Sequence, residues 1–323
     1  GAYKNSEVQS SSGAVRVFRN LNGDWVQMGE DLLGSDVGEA FGSSVSLNSV
    51  GNVLAVGCYN ATPQGSPSSQ IGNVKVYQFD DMSETWQQIG SDIHGDGGHK
   101  DWSGWKTVLN GDGTIVAIGA FHSSLNGDRA GYVKVYELVE GTWNQLGDTI
   151  VGQQPLNRIG YTLDLDELGY TLAIGSDVRN AVDVYMLENE IWVQKGQSLN
   201  FGDSFDLSRN GNAIIIADTA HNSSHQGTFS VFNYNGANWD QTGNTISAET
   251  NLNMGYDGVQ ITDDGKRVFV AGSAGDPNAS EGHIAYYDLN NQLWEKAGAI
   301  DYGSILIGDY HGHREIAIDR NGD

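Results

Sequence analysis

The chain has 323 residues, with 17 Lys and Arg against 41 Asp and Glu, a formal net charge of −24, and 44 glycines beside four prolines. So acidic a surface repels phosphate backbones and anionic headgroups, which argues against nucleic-acid and peripheral membrane binding. The longest aliphatic run, near residues 213–217, falls far short of the roughly 20 residues of a membrane span, and the lone Cys58 excludes an internal disulfide.

The chain opens Gly1-Ala-Tyr-Lys, with neither an initiator Met nor a leader, and reads as a processed chain or an internal piece of a longer one. Val15-Arg-Val-Phe18, the turn Asn22-Gly23-Asp24 and Trp25 then make a hairpin pattern. Period-two alternation marks a half-buried strand, and Asn-Gly marks a tight turn. A second hairpin spans 42–57 around Gly51, and its second strand, Leu54-Ala-Val, is apolar as expected for burial on both faces. Cys58 follows it as a small core residue. The pair of hairpins then recurs. Val74-Lys-Val-Tyr77 leads to Trp86, and 104–119 turns at Gly113. Val133-Lys-Val-Tyr136 leads to Trp143, and 160–175 turns at Gly169. Val182-Asp-Val-Tyr185 leads to Trp192, and 202–217 turns at Gly211. Phe229-Ser-Val-Phe232 leads to Trp239, and 255–272 turns at Gly265. Ile284-Ala-Tyr-Tyr287 leads to Trp294.

Six of the eight tryptophans share this frame, and each is followed four residues later by a glycine: Gly29, Gly90, Gly147, Gly196, Gly243 and Gly298. The first five also carry Gln two residues after the Trp, where the sixth has Lys296. Successive tryptophans are 61, 57, 49, 47 and 55 residues apart, which suits one four-stranded propeller blade per unit. The sequence therefore predicts an all-β fold, a β-propeller of about six four-stranded blades in a single domain over 1–323. The last unit, from His311 to Asp323, stops in its first turn, and Gly1-Ala-Tyr-Lys matches Gly57-Cys-Tyr-Asn60. A terminal blade shared between the two ends is expected, with seven blades in a longer parent chain as the alternative.

Phe41-Gly42, Leu54-Ala-Val-Gly57-Cys58, Gly72-Asn-Val-Lys-Val-Tyr77 and Trp86-Gln-Gln, with a second Phe-Gly at Phe201-Gly202, resemble the FG-GAP repeat of integrin-alpha-like propellers. The resemblance covers essentially the whole chain and implies a propeller whose loops bind proteins or glycans outside the cell. It would also imply calcium loops in the first-hairpin turns. Here those turns are Asn48 to Gly51, Asn110 to Gly113, Asp166 to Gly169, Ser208 to Gly211 and Thr262 to Gly265. They are too short and too poor in carboxylates for the about six to eight oxygens that Ca²⁺ takes, so no cofactor is expected.

The loops after the second and fourth strands are the long ones and emerge on one face, the expected recognition surface. The most distinctive is 94–105, which holds His99, Asp101, Trp102 and Trp105. Exposed Trp beside Asp and His suits sugar stacking or a protein hot spot. The packing alternative places Trp105 at a core position of a first strand and Trp102 over the rim. His311 with His313, and His221 with His225, are loose pairs without the partners of a zinc site, so no metal is expected. Sequons at Asn60, Asn222 and Asn278 fall in three loops that follow second strands, which is where glycans fit. The sequence reading is an extracellular or surface propeller, not an enzyme, that binds proteins or glycans through the long-loop face, with self-assembly into an oligomer or filament as a further expectation. The alternative is a glycan-active lyase or hydrolase with its site on that face.

Overall fold

The computed structural model describes residues 1–63, 69–96, 98, 100–200, 202, 204–218, 227–247, 258–273 and 281–304. Among them there is no helix, and every regular element is a strand. Contacts divide the chain into two compact units, Gly1–Arg179 with Leu187–Val193, and Asn180–Met186 with Gln194–Asp323.

In the first unit the hairpin of Phe18–Leu21 with Asp24–Gln27 and the short pair Ala14–Val15 with Leu32–Leu33 come first. A sheet follows with strands Ser44–Leu47, Val53–Cys58, Asn73–Asp80 and Thr85–Gln88 in sequence order, and Ile93–His94 adds to the third strand. The next sheet repeats this with Lys106–Leu109, Ile115–Ala120, Tyr132–Val139 and Thr142–Gln145, again with a short addition, Ile150–Val151. The next four strands in chain order, Thr162–Leu165, Thr171–Gly175, Val182–Glu188 and Ile191–Gln194, form one sheet, of which residues 182–186 and 194 are counted with the second unit. The second unit carries Ser204–Leu207, Ala213–Asp218, Thr228–Tyr234 and Trp239–Ser247, then Gly258–Ile261, Arg267–Ser273, Glu281–Asn290 and Leu293–Ser304, each set one antiparallel sheet. These are the blades of a β-propeller, as the repeat predicts. Burial follows strand rank. Val53–Cys58 and Ile115–Ala120 are buried at every position, whereas Thr85–Gln88 and Thr142–Gln145 are largely exposed. First strands of neighbouring blades also meet directly: Ser44 Oγ lies 3.2 Å from Thr107 Oγ1, and Ser46 Oγ accepts from Leu109 N at 3.0 Å.

The recurring Trp and Gly form a single device. The indole Nε1–H of Trp86, Trp143, Trp192, Trp239 and Trp294 donates to the carbonyls of Met28, Ile89, Leu146, Lys195 and Thr242, at 2.9, 3.0, 3.0, 2.6 and 2.9 Å. Each of these carbonyls belongs to the residue just before the glycine of the preceding unit. The glycine is needed there for two reasons. At Gly90 φ is +70°, and a Cβ would come within 2.6 Å of Trp143 Cδ1. The repeated Gln completes the device by donating to the carbonyl of that same glycine, as Gln27 does to Gly29 at 3.2 Å and Gln145 to Gly147 at 3.0 Å. Trp25, the first of the series, is 69% exposed.

The first-hairpin turns, where the integrin-alpha-like resemblance would put calcium loops, spend their side-chain oxygens internally. Asn48 Oδ1 accepts from Asn52 N and Val53 N, Asn110 Oδ1 from Ile115 N, Asp166 Oδ1 from Tyr170 N and Thr171 N, and Ser208 Oγ from Ala213 N. The leading residue thus braces the hairpin turn. Cys58 is fully buried in a cluster with Val15, Phe41, Leu54 and Val56, and burial pushes its thiol well above the ordinary range.

At the N-terminus Ala2 and Ala14 exchange two backbone hydrogen bonds, at 2.7 and 3.2 Å. Cys58 is paired in register with Asn73 at the matching place one blade later. Gly1 and Ala2 therefore stand where the end of a second strand belongs. Phe201, the loose His pairs and the C-terminal part of the expected shared blade, 305–323, lie outside the described residues.

Two variants test the Trp–Gly device by urea unfolding. Trp143→Phe removes the N–H and should cost about 1 kcal/mol. Gly90→Ala adds left-handed strain and displaces the indole, so it should cost on the order of 2 kcal/mol or more. The reverse ranking would refute this account of the repeat.

Candidate functional site

The long-loop face of the first unit is built on a repeating backbone. Three glycines begin first strands or lie just before them, Gly42, Gly104 and Gly160, and three end second strands or sit near their ends, Gly57, Gly119 and Gly175. Two residues before the first set stand Ala40, Trp102 and Arg158, all left-handed, with φ of +61°, +56° and +49°. Two residues earlier still, Gly38, Lys100 and Leu156 are left-handed as well, with φ of +71°, +64° and +62°. The loop conformation is therefore constant while its side chains vary. A left-handed Trp or Arg costs about 1 kcal/mol or more, which marks positions where these side chains are held against their own backbone preference.

These loops and the ends of the second strands bring six rings together. Trp105 lies 5.3 Å from Tyr59, 4.8 Å from Phe121 and 5.6 Å from Tyr161, between ring centroids. Trp102 lies 5.6 Å from Tyr59 and 5.5 Å from Phe121. It also stacks on His122 at 4.3 Å with 28° between planes. The Arg158 guanidinium sits 4.7 Å above Phe121 and 5.8 Å from Tyr161, and its Nη1 donates to Asp177 Oδ2 at 2.8 Å. Phe121, Tyr59 and Asp177 occupy one repeat position, two residues beyond Gly119, Gly57 and Gly175.

His122 is the imidazole of the group. Its Nδ1 lies 3.0 Å from the Lys100 carbonyl oxygen. A carbonyl can only accept, so Nδ1 carries the hydrogen, and in the neutral ring Nε2 holds the lone pair. Burial holds this imidazole below the ordinary histidine range, and the cationic Arg129, Arg158 and Lys100 act in the same direction. The left-handed Lys100 presents the carbonyl that fixes the tautomer.

The sequence-predicted site divides on inspection. Trp102 and Trp105 lie in the cluster together, and Trp105 both packs there and borders the first strand. His99 lies outside the described residues. Asp101 is only 3% exposed. Its Oδ2 accepts from Gly98 N at 3.1 Å, as Glu39 Oε2 accepts from Asp36 N at 3.1 Å and Asn157 Oδ1 from Gln154 N at 2.9 Å. Asp101 is thus the loop brace of its repeat, and its burial raises its carboxyl from the usual range. Asn60, the described sequon residue, has its carboxamide tied into the same face: Nδ2 donates to the Gly38 carbonyl and Oδ1 accepts from Gln70 at 2.6 Å. Asn222 and Asn278 lie outside the described residues. Tyr59, Phe121, His122, Arg158, Tyr161 and Asp177 were not singled out by the sequence reading. The signal that points to them is their offset from the glycines, legible once the repeats are aligned on the loops rather than on the tryptophans.

The fold is that of a β-propeller, and an aromatic cluster lies among the long loops of its first unit. No family model matches the sequence and no curated protein matches it, so the integrin-alpha-like resemblance rests on its motif residues alone. Among solved structures, a provisionally named 6-phosphogluconolactonase of Bacteroides fragilis is similar over 100% of this chain and 84% of its own, with a TM-score of 0.64 at 14% identity. The periplasmic gluconolactonase of Pseudomonas aeruginosa is similar over 88% of this chain and 78% of its own, with a TM-score of 0.57 at 16% identity. The β-propeller domain of Swd1 from Myceliophteria thermophila is similar over 91% of this chain and 81% of its own, with a TM-score of 0.56 at 11% identity. Two of these neighbours bear lactonase names, so the expectation that the chain is not an enzyme is corrected: proteins named as enzymes carry the fold it shares.

Asp101→Asn should keep the brace, as Asn157 does in the next repeat, and change stability by less than about 1 kcal/mol. Asp101→Ala should cost about 1–3 kcal/mol by leaving Gly98 N–H without its acceptor. Chemical denaturation of the two variants checks this, and equal losses would refute the bracing role.

Proposed function

We propose that this chain is a hydrolase acting on a carbohydrate-derived ring, with the site at Tyr59, Trp102, Trp105, His122 and Arg158. The observation that carries the reading is His122, a neutral imidazole with its Nε2 lone pair available beside a wall of aromatic rings. Rings of this kind stack on the apolar faces of sugars, and an imidazole of fixed tautomer is suited to general-base work. The lactonase names of the structural neighbours accord with the same chemistry and suggest the bond: the acyl–oxygen bond of a sugar lactone or ester.

The step balances with water as the only co-reactant. Nε2 takes one proton from water as the water oxygen bonds to the acyl carbon. The tetrahedral intermediate then expels the ring oxygen, which receives that proton from the imidazolium, leaving a hydroxy acid. Arg158 is the cation available to the developing oxyanion. Positioned general bases contribute roughly 10²–10⁴-fold, and that sets the expected loss on their removal.

Turnover of glucono-δ-lactone and aryl esters, followed by proton release, tests this. His122→Gln should lower kcat by about 100-fold or more with the fold retained. Because burial holds the folded imidazole below the ordinary histidine range, the base form persists at lower pH than for a free histidine. The acid limb of kcat/KM should therefore fall below the ordinary histidine pKa. The depressed pKa also means that protonation favours the unfolded chain, so the contribution of His122 to stability is complete above the unfolded pKa and is lost as pH falls below it. Activity unchanged by His122→Gln, or no turnover of any lactone or ester, would overturn the proposal.

A further inference from the structure

Five tryptophans of the repeat satisfy their indole N–H with a carbonyl. Trp102 does not. Its Nε1 is buried and has no hydrogen-bond partner among the described residues, and the same is true of Arg158 Nε. A buried donor left unsatisfied carries its full desolvation penalty, so two such donors in one place call for a reason. They are not scattered. Trp102 and Arg158 hold the same left-handed position in successive loops, and both flank one ring, Phe121, at 5.5 and 4.7 Å. Two left-handed positions with two unmet donors thus border one aromatic ring, beside the Asp177 carboxylate that Arg158 already holds.

Charge narrows the acceptor. The chain as a whole carries −24, with only 17 Lys and Arg. Yet the charged groups that act on His122 are Arg129, Arg158 and Lys100, all cations. Asp177 takes one bond from Arg158 Nη1, which leaves the Nε edge of the guanidinium for another partner. Shielding from bulk water strengthens any charge-assisted bond made there. A neutral polyol would satisfy the donors but gain little from the cations, whereas an oxyanion uses both.

We infer that Trp102 Nε1–H and Arg158 Nε–H are a paired donor set for an oxyanion, so that the substrate is an acidic carbohydrate derivative carrying a carboxylate or a phosphate. This rests on the hydrolase reading for the word substrate, but the binding itself stands apart from turnover.

Calorimetric titration of the intact chain tests it with two matched pairs. Gluconate against sorbitol isolates the carboxylate, and glucose 6-phosphate against glucose isolates the phosphate. At least one acid should bind about tenfold or more tightly than its neutral match, as one charge-assisted bond predicts. The preferred pair names the oxyanion. Arg158→Gln should abolish the preference, and Trp102→Phe, which keeps a ring and loses the N–H, should weaken the acid by about five- to tenfold. Rising salt should weaken the acid and leave the polyol unchanged. Equal binding within both pairs, no binding of any of the four, or a preference that survives Arg158→Gln would overturn the inference. A chain that binds the acid through Arg158 but opens no lactone keeps this inference and loses the hydrolase. A chain whose lactone turnover depends on His122 but which binds each acid no more tightly than its neutral match does the opposite.

Discussion

The bond from a tryptophan indole to the carbonyl one unit upstream is the constraint on which the rest depends. Antiparallel pairing holds each blade together, but pairing says nothing about how one blade meets the next. The indole does, because its ring must lie over a residue without a side chain and its N–H must find the carbonyl beside it. That sets the offset between neighbouring outer hairpins, and the offset propagates inward to the first strands, where Ser44 meets Thr107. The loops at the strand ends then have little freedom left in where they begin and end.

Variation on that fixed backbone produced the candidate site. Ala40, Trp102 and Arg158 are one position filled three ways, as are Tyr59, Phe121 and Asp177. Neither set makes a site alone. Chemistry appears where the large members fall in adjacent repeats, so that rings, an imidazole and a guanidinium share a volume. Lys100 shows how backbone and chemistry join: its left-handed conformation belongs to the loop, and its carbonyl decides which nitrogen of His122 carries the proton.

The blades were legible because their cause is local and repeated. Trp86, Gly90 and Gln88 recur at constant spacing, and each has one contact to explain it. Cys58 was legible too, since an apolar strand led into it. The site was legible only in part. Trp102 and Trp105 stood out as tryptophans beyond the repeat, but Asp101 beside them reads as chemistry and turns out to brace a loop. His122 gave no sign, because its role comes from Lys100, distant in sequence and adjacent only after folding. Arg158 was hidden for a similar reason, as an unremarkable residue before Tyr161 until its repeat partner is known to be Trp102.

The left-handed loop residues have one more implication. A position that keeps its backbone angle whether it holds a methyl group, an indole or a guanidinium behaves as a socket. Ala40 is buried, so the methyl group fills its socket, whereas Trp102 and Arg158 reach partly into solvent. A small library at 102 and 158 would therefore change the groups this face presents on an unchanged chassis.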